Sequence, residues 1–109
     1  MPDVLRGLDI GARSLGQATP VLVACLGSKA QAKAQLDAVG DVARRFGPSL
    51  QVYAVDEEEL PGMRGRLGLH GTPTFLLFWG GRERDRFVGE AESMALERFV
   101  RHALGKDAS

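Results

Sequence analysis

Gly71-Thr72-Pro73-Thr74-Phe75-Leu76-Leu77-Phe78 is the stretch on which the reading of this chain turns. A proline behind a glycine and a threonine makes a turn, and the apolar run behind it has the length of a buried strand. Gly80-Gly81 then reads as a two-residue hairpin turn, because glycines take positive φ freely. Arg82 to Val88 is the antiparallel return, polar enough for an edge strand. Further upstream, Val21-Leu22-Val23-Ala24-Cys25-Leu26 is a continuous apolar run, as in a strand covered on both faces.

Between these runs the pattern alternates. Residues 28–46 carry Ala32, Leu36, Val39, Ala43 and Phe46 three or four apart, which predicts one apolar helix face. Gly47-Pro48 is a stop signal. Residues 50–55 read as a strand, followed by four acids at 56–59. Pro61 opens a short helix with Met63 and Leu67 inward, ended by Gly68. Ser93 reads as the N-cap of a last helix with Leu96, Phe99, Val100 and Ala103 inward, ended by Gly105. A short helix over residues 8–15 precedes the first long strand, and a strand before that helix is left open. Residues 1–7 and 106–109 are expected to be loose. The resulting αβαβαββα order predicts an α/β fold, a mixed sheet of four to five strands with helices on both faces.

The chain has 109 residues, read as one domain over 1–109, with 44% apolar and 26% charged residues. Fourteen basic residues balance fourteen acidic ones, so no long-range field draws the chain to nucleic acid or to an anionic membrane. No apolar run approaches the ~18 residues of a membrane span. No basic stretch followed by an apolar one marks a signal peptide at the N-terminus. A single cysteine forms no disulfide within the chain, which fits a reducing, cytoplasmic setting.

The order of elements resembles that of thioredoxins from about residue 8 to about residue 104. The most specific stretch runs from Asp56 through Pro61 and Gly68 to Gly71-Thr72-Pro73-Thr74, and on to Asp85-Arg86-Phe87-Val88-Gly89-Glu90. The resemblance implies a thioredoxin fold and a cis bond between Thr72 and Pro73. It also implies a surface around that proline where an extended peptide adds as a strand. The departures fall together. Ala30 and Lys33 stand where that family has its two cysteines, Lys29 where a tryptophan precedes them, and Ala24 where it buries an aspartate. Thiol–disulfide exchange needs a thiolate, and the sequence Ala30-Gln31-Ala32-Lys33 supplies none. Ser28-Lys29-Ala30-Gln31 instead fits a capping box, with serine at N-cap and glutamine at N3.

Other chemistry-bearing residues have ordinary readings. Cys25 reads as a small buried hydrophobe, Ser28 as a cap, His70 as a solvated loop residue and His102 as a cation at a helix end. The two histidines and the cysteine lack zinc-site spacing. Trp79 reads as packed at a strand end, and Arg82, Arg84 and Arg86 as edge-strand charges. No catalytic residue, metal or cofactor is expected. The function expected is a redox-inactive module that binds another protein or an extended peptide through Lys29, Ala30, Gln31, Ala32, Lys33, Thr72, Pro73, Gly89 and Glu90. The alternative is a thiol oxidoreductase working through Cys25 or a partner's thiol. A monomer is expected, or a weak homodimer through the edge strand.

Overall fold

The computed structural model describes residues 3–4, 19–55, 65 and 68–105. Its strands are β1 (Asp3–Val4), β2 (Val21–Cys25), β3 (Gln51–Val55), β4 (Thr74–Trp79) and β5 (Arg82–Val88). The helices are α1 (Lys29–Phe46) and α2 (Ser93–Gly105), with a short 3₁₀ turn at Gly47–Ser49. The helices expected at residues 8–15 and from Pro61, the acidic run at 56–59 and the tail at 106–109 lie outside the described residues. Gly65, inside the second of those helices, is described and is helical.

The sheet order is β1-β3-β2-β4-β5. β1 and β2 both run parallel to β3, while β4 is antiparallel to β2 and to β5. A mixed sheet follows from the connections. The β2–β3 link carries a helix and returns the chain in the same direction, whereas Gly80-Gly81 reverses it. Both glycines have positive φ, 67° and 83°, as a tight two-residue hairpin requires. Asp3–Val4, expected to be loose, pairs with Tyr53 and Ala54.

Alternation along the strands divides the core in two. Leu22, Ala24, Phe75 and Leu77 face α1 and α2, meeting Val39, Val42, Leu96, Phe99 and Val100. Val21, Val23, Cys25, Leu76 and Phe78 face the other way, with Val55 and Leu69. Phe75, Phe87 and Phe99 form an edge-to-face ladder, with centroids 6.2 and 5.9 Å apart, that ties β4, β5 and α2 together.

Three local expectations are corrected. Leu36, placed on the inward stripe of α1, is 41% exposed, and the polar Gln35 is buried at 5% in its stead. The helix is rotated by about one position from the stripe its apolar residues suggest. Ser93 is the first residue of α2 rather than its cap. Glu92 O accepts the first helical bond, from Leu96 N at 2.9 Å, and the Ser93 hydroxyl donates instead to Asp41 Oδ2 at 2.5 Å, across to α1. Gly105 belongs to the last turn of α2 and does not end it from outside. β5 is an edge strand, and a bulge at Arg84 interrupts its pairing, since Leu77 faces Asp85 while Phe78 faces Glu83. Trp79 is half-buried at the hairpin, and Arg84 Nε donates to its carbonyl at 2.8 Å.

Candidate functional site

Three segments converge at one end of the sheet: the start of α1, the loop before β4 and the loop after β5. Ser28 caps α1, its Oγ accepting from Gln31 N at 3.3 Å. Only half of the expected capping box forms. Gln31 Oε1 does not turn back to Ser28; it accepts from Thr72 Oγ1 at 3.5 Å, across 41 residues of chain. Gly27 lies beneath this pair. A Cβ there would overlap both Gln31 Oε1 and Thr72 Oγ1 and approach Thr72 Cβ to 3.1 Å, so the residue before the cap must be glycine for the two side chains to meet.

The Thr72–Pro73 peptide bond is cis. Pro73 is buried and Thr72 half-buried. Thr74 Oγ1 donates to Gly71 O at 2.7 Å, closing the turn. Upstream, Arg86 holds Glu83 through both carboxylate oxygens and donates to Gly68 O at 3.0 Å, fixing the approach to the turn. Downstream, Gly89 N donates to Pro73 O at 2.8 Å. Gly89 has φ 119°, a conformation that side chains rarely adopt. The loop is held again at Ala91, whose N–H donates to buried Gln35 Oε1 at 2.9 Å. Gln31 and Gln35 are one helical turn apart, so both face the same side of α1. Gln31 holds one loop, Gln35 the other, and the Gly89–Pro73 bond joins the two.

Of the residues expected to form a binding surface, the structure thus links Gln31, Thr72, Pro73 and Gly89. Ala30, Lys33 and Glu90 are exposed around them. Lys29 opens the helix. Ala32 is half-buried and packs against the core on the helix side of the sheet. Gly27, Gln35 and Ala91 were missed. The signal available was the i, i+4 spacing of two glutamines on a helix and a glycine immediately before a capping serine.

Cys25 is fully buried in the strand layer and faces away from α1. Burial pushes its thiol up to about 12; nearby Arg86 opposes the shift but does not overcome it. Ala24, where the resemblance would place a buried acid, is also fully buried. Residues that could hold a metal do not converge: no group of three His, Cys, Asp or Glu side chains is found among the described residues. His70 and His102 are both exposed. No helix among the described residues is long and apolar enough to cross a membrane.

No protein-family model matches the chain. Curated proteins similar to it include "Thioredoxin M4, chloroplastic" of Arabidopsis thaliana, 27% identical over 66 residues, which are 61% of this chain and 34% of that protein. "Thioredoxin M2, chloroplastic" of the same plant is 28% identical over 58 residues, 53% of this chain and 31% of its own. The chain spans about a third of the length of these curated relatives. The sheet order and its helices are those of a thioredoxin fold. Together, this weak homology and the α/β architecture support a thioredoxin-like protein.

Proposed function

We propose that this thioredoxin-like chain is a redox-inactive binding module that grips an extended segment of another protein beside Thr72 and Pro73. The observation that carries the reading is the separation of thiol from site. The only cysteine is fully buried and faces away from α1, and the start of α1 offers Ala30 and Lys33 where a dithiol would act. A protonated, inaccessible sulfur attacks nothing. The loops around Pro73, by contrast, are cross-tied by Gln31, Gln35 and Gly89, a pre-organised arrangement that loses little entropy on binding. Strand addition suits such a surface, because main-chain hydrogen bonds supply affinity without demanding one sequence. A single buried thiol suits a reducing compartment such as the cytoplasm. Buried Cys25 weighs against the oxidoreductase alternative.

A random peptide display against the purified protein tests this. Short extended peptides should be enriched, and Thr72→Arg should weaken their binding at least about tenfold by placing a long cation in the path of the strand. Insulin disulfides should be reduced no faster than in buffer. Far-UV circular dichroism checks that the variant is folded. No enrichment, or enrichment indifferent to Thr72→Arg, defeats the reading, and insulin turnover dependent on Cys25 replaces it with the enzymatic one.

A further inference from the structure

We infer that the outer edge of β5 is a pairing surface for a second copy of this chain, antiparallel and centred on Phe87, and that the Asp85 carboxylate keeps it closed by holding the main-chain N–H of Arg86. This concerns the edge of the sheet and does not depend on the peptide-binding reading above.

β5 is the last strand of the sheet and pairs only with β4. Main-chain groups alternate in direction along a strand. Gly89 N–H turns inward to Pro73 O, so the N–H groups of Val88 and Arg86 turn outward. Outward donors on an edge are a template for another strand. The Arg86 N–H, however, donates to Asp85 Oδ1 at 2.9 Å. The first half of the edge is closed by other means. The register slips between Leu77 and Phe78, which makes Arg84 the extra residue of a bulge. Its guanidinium folds back to Trp79 O at 2.8 Å. The same slip sets Glu83 and Arg86 on one face, where they form their ion pair. The stretch left regular is 85–88, ending in Val88, which is 62% exposed.

Charge and register select a second copy centred on Phe87. In a two-fold antiparallel pair the central residue faces its own copy. Centred on Asp85, carboxylate faces carboxylate; centred on Arg86, guanidinium faces guanidinium. Like charges directly opposite are destabilising. Centred on Val88, the pairing runs into Gly89, whose φ of 119° leaves the strand conformation. Centred on Phe87, ring faces ring, and Arg86 stands opposite the other copy's Val88. The Arg86 stem then covers that exposed side chain, and the Arg86 N–H meets the Val88 carbonyl. This register uses the Arg86 N–H twice, once from each copy, and that donor is the group Asp85 holds.

Sedimentation equilibrium of the full chain from about 10 μM to about 1 mM tests this, a range suited to so short a pairing. The wild type should stay monomeric, and Asp85→Ala should associate at least about tenfold more tightly. Asp85→Asn retains an acceptor oxygen without the charge and should behave as the wild type. Asp85→Ala combined with Val88→Lys sets a lysine against Arg86 and should restore the monomer. In the wild type, the Arg86 amide should exchange its hydrogen at least about tenfold more slowly than the Val88 amide, once corrected for neighbouring residues, a measurement that needs no variant to fold. Asp85→Ala no more associated than the wild type, or equal exchange at the two amides, overturns the inference. So does association of Asp85→Asn as strong as that of Asp85→Ala, which would make charge rather than the hydrogen bond the barrier. An Asp85→Ala dimer indifferent to Val88→Lys overturns it as well, because the copies would then meet elsewhere.

Discussion

Between about pH 9 and about pH 12 the wild-type protein should lose folding stability relative to a Cys25→Ala variant, by on the order of 4 kcal/mol across the window. The thiol of the unfolded chain releases its proton near the ordinary value of 9.0, whereas in the folded protein burial delays release to about 12. Below the lower value neither state ionises, and the contribution is fully present. Between the two values the unfolded state binds fewer protons than the folded one, so rising pH favours unfolding by about 1.4 kcal/mol per unit. Above the upper value the loss is complete. Chemical denaturation at a series of pH values, taken as the difference between wild type and variant, removes every contribution the two proteins share. The missing sulfur lowers the variant's curve by a roughly constant cavity term at every pH. Curves that run parallel throughout would mean that the folded protein forms the thiolate as readily as the unfolded chain. That result would give Cys25 the access it lacks here and return the oxidoreductase alternative.

The fold is legible in the sequence because its strongest signals are local. β2 and β4 are continuous apolar runs because both faces of the sheet centre are covered, and such runs announce themselves. The Gly80-Gly81 hairpin is equally local. Helix α1 was legible in extent but not in rotation. Its apolar residues define a stripe through Leu36, yet the packed helix turns Gln35 inward and leaves Leu36 at the rim. Hydrophobic periodicity carries no information about Ala91, 56 residues away, whose N–H needs an acceptor in the core. Ser93 departs from its expected role for a related reason: a serine before an apolar run has the statistics of a cap, but Asp41 on the neighbouring helix claims its hydroxyl.

The site was legible only in part. Thr72, Pro73, Gly89 and the start of α1 came from the resemblance, and nothing local to any of them indicates that they meet. Ala32 is expected at the surface from the resemblance, yet the helical period that places it on the apolar face also turns it to the core. Gly27 has an unremarkable place in the sequence; its importance appears only when Gln31 and Thr72 are seen to close over it. Contacts between distant segments decide the geometry, and a single sequence shows the residues without the pairing.

Gln35→Leu should cost about 1–3 kcal/mol of stability, although leucine is apolar and near in volume to the residue it replaces. Gln35 is 5% exposed in a core position, where leucine fits without a sizeable cavity, so packing alone predicts little loss or a gain. What the substitution removes is the acceptor of the Ala91 N–H, now 2.9 Å from Gln35 Oε1. Ala91 is itself buried, so that donor would be left without water or protein. The chain escapes by moving Ala91 outward, and Gly89, two residues earlier, donates to Pro73 O at 2.8 Å. Loosening should therefore spread from Ala91 to the proline turn. Amide hydrogen exchange is the direct measurement: Ala91 and Gly89 should both exchange faster in the variant, while the amides of β2 change only with global stability. Peptide affinity should fall with them, because a loop that must be re-ordered on binding gives back part of what the contact gains. A variant as stable as the wild type, with unchanged exchange at both amides, would make Gln35 a space-filling residue and leave the two loops to hold each other through Gly89 and Pro73 alone.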